Sequence, residues 1–163
     1  MLANRRIKHM LVNLREILDI AERGDFAVPA FNAYNMETVM GVIEAAEEMR
    51  APVILQVYSR LFDSDNAYYL SPVILAAAKK AGVPVCFHLD HGAGVPEVIR
   101  AVRYGCSGIM FDASKLPLDQ NIEATKEVSA ICASAGIPVE GELGHVGSVN
   151  DDHMDESTGV EEA

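Results

Sequence analysis

Three apolar stretches of this chain run directly into acidic residues. Val85–Gly92 reads Val-Cys-Phe-His-Leu-Asp-His-Gly and ends in Asp90 and His91. Phe111 is followed by Asp112 and then Ser114, and Val139 by Glu140 and Glu142. Asn32, Asn35 and Ser59 follow two earlier apolar stretches in the same manner. Carboxylates with an imidazole can hold a divalent cation or relay a proton. Histidine mixed with Asp and Glu suits zinc, whereas acids alone lean toward harder cations. A plainer alternative has Asp112 and Glu142 capping the helices that follow, or pairing with Lys115 and Lys126. In that alternative His88 or His91 is simply hydrogen-bonded.

Whether these groups can meet depends on the elements that carry them. Leu14, Ile17, Leu18 and Ala21 form an apolar stripe of helical period over 13–23, with Asn13 as its cap and Gly24 as its stop. A short strand is expected over 27–32, a helix over 37–49 with Val39, Met40, Ile43, Ala45 and Ala46 facing inward, and a strand over 52–57. The pattern repeats with a helix over 71–81, capped by Ser71 with Pro72 at its first position. Then come a strand over 83–89, a helix over 95–104, a strand over 108–111, a helix over 118–135 and a strand over 137–141. Strand centres fall roughly every 23 to 32 residues, the rhythm of parallel β-strands joined by crossover helices. In such a sheet all five polar strand ends share one rim, where α/β enzymes keep their chemistry. Five units could form an open doubly wound sheet or part of a (β/α)₈ barrel. No Gly-x-Gly-x-x-Gly follows the first strand, so the dinucleotide-binding fold lacks its marker.

Bulk composition narrows the partners. Half of the 163 residues are apolar and 23% are charged, which fits one globular domain. A net charge of −11 without a basic stripe argues against nucleic acid and anionic membranes. No apolar run reaches the roughly 18–20 residues of a membrane-spanning helix. Cys86, Cys106 and Cys132 form no CxxC pair and sit among apolar neighbours, as reduced core cysteines of a cytoplasmic protein do. Residues 1–9 read as an upstream extension with no secretory h-region, residues 10–147 as the barrel portion, and 148–163 as a mobile acidic loop and chain end.

Four motifs carry a resemblance to a known family. Pro29-Ala30-Phe31-Asn32-Ala33-Tyr34-Asn35, His88-Leu89-Asp90-His91-Gly92, Phe111-Asp112-Ala113-Ser114 and Glu140-Gly141-Glu142-Leu143-Gly144 resemble the class II, zinc-dependent ketose-bisphosphate aldolases, in order and in spacing. Leu89-Asp90-His91 is the most specific of them. The resemblance runs from about Met10 to the end of the chain, and matches the N-terminal part of the family's (β/α)₈ TIM barrel, about its first five βα units.

The resemblance implies a lyase of carbohydrate metabolism such as glycolysis. Its reaction would be reversible cleavage of a fructose- or tagatose-1,6-bisphosphate-type ketose to dihydroxyacetone phosphate and an aldehyde. It further implies that Asp90 shuttles the proton of the C4 hydroxyl and that His91 is a ligand of the catalytic Zn²⁺. Asp112 and Glu142 correspond to residues that hold a second metal or the waiting position of a mobile zinc, and Asn35 to a residue near the substrate.

Departures from the family pattern are equally specific. Where the family has Ser or Thr to touch phosphate, this chain has Tyr58, with Ser59 next. The loop pattern Gly-Gly-x-Glu-Asp becomes Gly147-Ser148-Val149-Asn150-Asp151, so an amide stands in the place of the base. An amide cannot take a proton at neutral pH, which leaves Asp151, with Asp152 or His153 behind it, to do so. The family's other two zinc histidines lie on later strands. An arc of five strands exposes two edges, so association into a homo-oligomer is expected. The alternative is a truncated or diverged half-barrel that binds metal or assembles without catalysing.

Overall fold

The computed structural model describes residues 10–144. The first and last segments of the sequence reading, 1–9 and 148–163, therefore lie outside the described residues. Five strands, β1 (Ala30–Asn32), β2 (Val53–Tyr58), β3 (Val85–Gly92), β4 (Gly108–Phe111) and β5 (Val139–Gly141), pair in parallel in the order β1-β2-β3-β4-β5. Between them run α2 (Met36–Met49), α3 (Asp65–Lys80), α4 (Val95–Tyr104) and α5 (Leu118–Ala133), with α1 (Leu14–Gly24) ahead of β1.

Strand alternation explains how the layers form. Leu55, Val57, Phe87, Leu89, Ile109 and Phe111 share one core with Val39 and Ala46 of α2, Ile74 and Ala78 of α3, Val98 of α4, and Val128 and Cys132 of α5. Residues of opposite parity, Ile54 and Cys86, pack instead with Val12, Leu14 and Ile17 at α1. The four crossover helices thus cover one face and α1 lies against the other. A doubly wound sheet would reverse its strand order and place crossover helices on both faces. Consecutive order with a single helical layer is an arc of a barrel, and the open-sheet alternative falls away.

The helix α1 is well bounded. The Asn13 side chain accepts from Glu16 N, and Glu16 returns a bond to Asn13 N at 2.8 Å, a reciprocal cap. The chain ahead of it is tied to β3 by Val12 N donating to Val85 O at 2.9 Å. The Ser107 hydroxyl adds a bond to Val12 O at 2.8 Å, so α1 closes the N-terminal end of the arc.

Two local expectations are corrected. The helix expected to start at Ser71 begins six residues earlier, at Asp65, with Ser64 as its cap and Pro72 inside it. Ala67, Leu70, Ser71, Ile74 and Ala78 supply a buried face that carries the helix through the proline. Ser71 is no cap; its hydroxyl donates to Ala67 O at 2.6 Å within the helix. Met40, expected to face inward on α2, is 58% exposed, while Val39 beside it is fully buried.

All three cysteines are free and buried. Burial pushes the Cys86 thiol up to about 12 and that of Cys106 well above its ordinary value, which removes both as nucleophiles.

Candidate metal and acid–base site

The end of β3 departs from regular strand geometry where the chemistry begins. Pairing with β4 shifts register between Leu89 and Gly92, and His91 has φ +55, in the left-handed region. In a regular strand Asp90 and His91 would face opposite sides. The irregularity instead brings His91 Nε2 to 3.9 Å from Asp90 Oδ1. A non-glycine residue in this conformation costs on the order of 1–3 kcal/mol, which surrounding structure must over-determine. Gly92 is part of that structure, because a Cβ there would lie 2.6 Å from Leu89 Cδ2 and 3.1 Å from Met110 O.

Asp112 follows β4 immediately. Its Oδ1 accepts from Ser114 N at 3.0 Å and from the Ser114 hydroxyl at 2.6 Å, leaving Oδ2 turned to His91 Nδ1 at 2.9 Å. Asp112 therefore caps no helix, since the residue ahead of α5 is Pro117. Glu142 follows β5, with Oε2 3.2 Å from the same His91 Nδ1. One ligand atom from each of His91, Asp112 and Glu142 lies within 4.8 Å of the others. Side-chain exposures of 41%, 21% and 15% leave the imidazole as the open side of the cluster.

Asp90 is buried and set beside the cluster, its Oδ1 accepting from Gln56 Nε2 at 3.2 Å. Tyr58 stands edge-on to His91, ring centroids 6.3 Å apart, with the Arg60 guanidinium 5.9 Å from the Tyr58 ring.

The electrostatics follow from this crowding. Burial opposes protonation of His91, but the hydrogen bond to Asp112 and the charges of Asp90, Glu142 and Asp112 outweigh it and raise its pKa. For Asp112, burial is likewise the largest single influence and acts upward. The bonds from Ser114 and His91 together overcome it and hold the carboxyl at about 2. A proton on Nδ1 and a divalent cation answer the same need, a positive charge between converging carboxylates. The donor set of one imidazole and two carboxylates fits such a cation.

The remaining predicted residues behave differently. The Asn35 side-chain oxygen accepts from Thr38 N at 2.9 Å, so it serves as the cap of α2 at the end of β1. Ser59 is buried at the C-terminal end of β2, where it opens a short 3₁₀ turn. Asp151, Asn150, Asp152 and His153 lie outside the described residues.

Sequence reading missed two participants. Gln56 and Asn121 are amides whose partners, Asp90 and Glu142, stand 34 and 21 residues away, so no local spacing reveals them. A third feature lies beneath the rim. His88 is 1% exposed and crosses over Gly108, where a Cβ would meet its Cδ2 at 2.8 Å, to approach Glu140 Oε2 at 3.4 Å. That separation is an ion-pair distance rather than a hydrogen bond. Neither ring nitrogen has a hydrogen-bond partner among the described residues. Proximity to His88 draws the Glu140 carboxyl below its ordinary value against the effect of burial. Gln56, His88 and Glu140 also line a hollow of about 400 Å³ beside α1, on the inside of the arc below the cluster.

Arc and rim together define an α/β barrel portion with an acid–histidine cluster at the C-terminal ends of its strands. Comparison with known proteins identifies which barrel. Residues 12–163 match the family described as fructose-bisphosphate aldolase class-II, and the chain belongs to that family. A fructose-bisphosphate aldolase of Giardia intestinalis is 38% identical over 143 residues, which are 87% of this chain and 44% of that protein. The crystal structure of the YdjI aldolase of Escherichia coli K12 superposes with a TM-score of 0.79 at 38% identity, over 83% of this chain and 52% of that one. A putative fructose-1,6-bisphosphate aldolase of Coccidioides immitis gives a TM-score of 0.74 at 30% identity, over 79% and 45%. This chain thus spans about half the length of the relatives it matches. Among the described residues no helix is long and apolar enough to cross a membrane.

Proposed function

We propose that this chain supplies the metal-binding and hydroxyl-proton half of an aldolase site. The reaction is zinc-dependent, reversible cleavage of a phosphorylated ketose of the fructose- or tagatose-1,6-bisphosphate type to dihydroxyacetone phosphate and an aldehyde. The observation that carries this reading is the meeting of His91, Asp112 and Glu142 with Asp90 3.9 Å from the imidazole. His91, Asp112 and Glu142 would hold the cation. When bound, it would polarise the ketose carbonyl and offset the negative charge left as the carbon–carbon bond breaks.

Asp90 takes the proton of the C4 hydroxyl as that oxygen becomes the aldehyde carbonyl, and returns it in the condensation direction. Its burial and the Gln56 bond fix the carboxylate for that transfer. The electron pair of the broken bond remains on the dihydroxyacetone phosphate carbon, which then needs a proton. Asp151 delivers it, from the acidic segment 148–163, because the Asn150 amide beside it is neither acid nor base enough to carry that proton at neutral pH. Asn35 and Ser59, on the same rim, contact the substrate. Residues 10–147 act as the barrel portion, and the protein works as a cytoplasmic homo-oligomer without nucleic-acid or membrane partners.

A panel of ketose mono- and bisphosphates, assayed for dihydroxyacetone phosphate release with and without zinc, tests this reading. Zinc-dependent cleavage lost in Asp90→Ala supports it. Metal binding without turnover on any member supports a second reading, a non-catalytic metal-binding or assembly module, which Asn150 in the place of the family's base favours.

A further inference from the structure

We propose that Asn121 is a positioning residue for Glu142, a side-chain latch from α5 that fixes this carboxylate in the cation site. The proposal rests on the metal-binding reading of the cluster. It begins with an anomaly of composition. Val128 and Cys132 of α5 are fully buried against the sheet, and Asn121, seven and eleven residues before them and so on the same helical face, is also buried at 5% exposure. An aliphatic residue would satisfy that position by packing alone. A buried amide lowers stability unless its groups are bonded.

Both ends of the amide are bonded. Asn121 Nδ2 donates to Glu142 O at 2.9 Å, and the Thr125 hydroxyl donates to Asn121 Oδ1 at 3.0 Å. Thr125 thereby sets which way the amide faces. Thr125 also reaches β5 directly, since a Cβ on Gly141 would lie 3.4 Å from its Cγ2.

The latch acts where the sheet has run out. The pairing of β5 with β4 ends at Phe111↔Gly141, so Glu142 stands one residue beyond the ladder. Asn121 extends the backbone anchoring to that residue, and the Glu142 carboxylate then meets His91 Nδ1 at 3.2 Å. A ligand of this kind loses affinity when its support is removed, by about 10- to 100-fold for outer partners of metal ligands.

Co²⁺ titration of the full chain, carried to millimolar metal and followed by its visible absorption, tests the proposal alongside thermal melts of the metal-free protein. Asn121→Asp keeps the shape of the side chain and suits the first turn of a helix, but presents an acceptor to Glu142 O. It should weaken Co²⁺ by about tenfold or more. Thr125→Val should weaken it in the same direction, and Thr125→Ser, which keeps the hydroxyl, should not. Val128→Ala should lower the melting temperature and leave the Co²⁺ Kd unchanged. Wild-type affinity in Asn121→Asp, or equal weakening in Val128→Ala, would overturn the latch. Should Asn121→Asp fail to fold, equal affinities of Thr125→Val and Thr125→Ser overturn it instead. Glu142→Gln separates the two levels. If it binds Co²⁺ as well as the wild type, or if the wild type binds none, the metal reading fails and takes the latch with it. If Glu142→Gln loses Co²⁺ while Asn121→Asp does not, the latch alone fails.

Discussion

The strands β3 and β5 each lead into a residue of the cluster, yet they support it by opposite means. β3 is eight residues long, paired on both sides and almost wholly buried. It can therefore impose an unfavourable backbone conformation on His91 and hold it there. β5 has three residues, is largely exposed and, among the described residues, pairs with β4 alone. Its Glu142 relies on an amide from α5. The contrast teaches that one ligand site can combine a group fixed by the core with a group anchored by an amide from a neighbouring helix. The two should fail differently.

Catalysis should show the largest effect, because it depends on a group that the β3 core holds rigidly. Asp90→Ala should reduce cleavage by about a hundred- to ten-thousandfold and leave metal binding in place, as parallel turnover and metal titrations would show. Retained cleavage would move the proton transfer away from β3. On the segment beyond β5, Asp151→Ala should lose more turnover than Asp152→Ala, and Asn150→Glu should keep or raise it. Exchange of the carbon-bound proton of dihydroxyacetone phosphate with deuterium reports that step directly.

Stability should divide next. Phe87→Ala in β3 should cost about 3–5 kcal/mol, whereas Val139→Ala in β5 should cost about 1 kcal/mol. The lesser change should weaken metal binding more than its melting temperature suggests, if β5 matters chiefly through Glu142. Equal losses from the two substitutions in denaturant melts would erase the contrast. Gly92→Ala should cost about 1–3 kcal/mol by overpacking and displace His91 as well, coupling stability to affinity where Phe87→Ala separates them.

The smallest effect is a pH dependence of the metal-free chain. The raised pKa of His91 contributes stability that is full below its ordinary 6.5 and is lost as pH rises through the raised value. Asp112, lowered from 3.8 to about 2, contributes stability present above 3.8 and lost as pH falls toward 2. Melting temperature should therefore be highest between these arms, and His91→Gln should flatten the alkaline one. Metal affinity should climb with pH over that same alkaline range, as the proton leaves the imidazole. Dialysed protein should carry less than one zinc per chain, since the set that meets among the described residues, one imidazole and two carboxylates, is a weak one.

The strand ends were legible in the sequence because alternation and composition are local. α4 and β4 fall on the expected residues, and residue type with family motif points to His91, Asp112 and Glu142, which the fold brings within 4.8 Å of one another. The start of α3 was not legible. Ser71-Pro72 has the local signature of a helix start, and only the tertiary burial of Ala67 and Leu70 outweighs it. The bulge at His91 escaped for a similar reason: nothing in Leu-Asp-His-Gly marks a register shift until β4 lies alongside. Gln56 and Asn121 escaped because an amide shows its purpose only through a partner far along the chain.

The three buried thiols give the molecule a built-in gauge of its own breathing. Cys86 lies on the inner face under α1, Cys106 in the turn between α4 and β4, and Cys132 on α5 in the same buried stripe as the latch. A thiol reagent can reach each of them only when that region opens, so three labelling rates would map local unfolding across the arc. A ligand bound at the rim should slow the reaction at Cys132 by steadying β5 and α5, while Cys86, sealed from the opposite end, keeps its own rate.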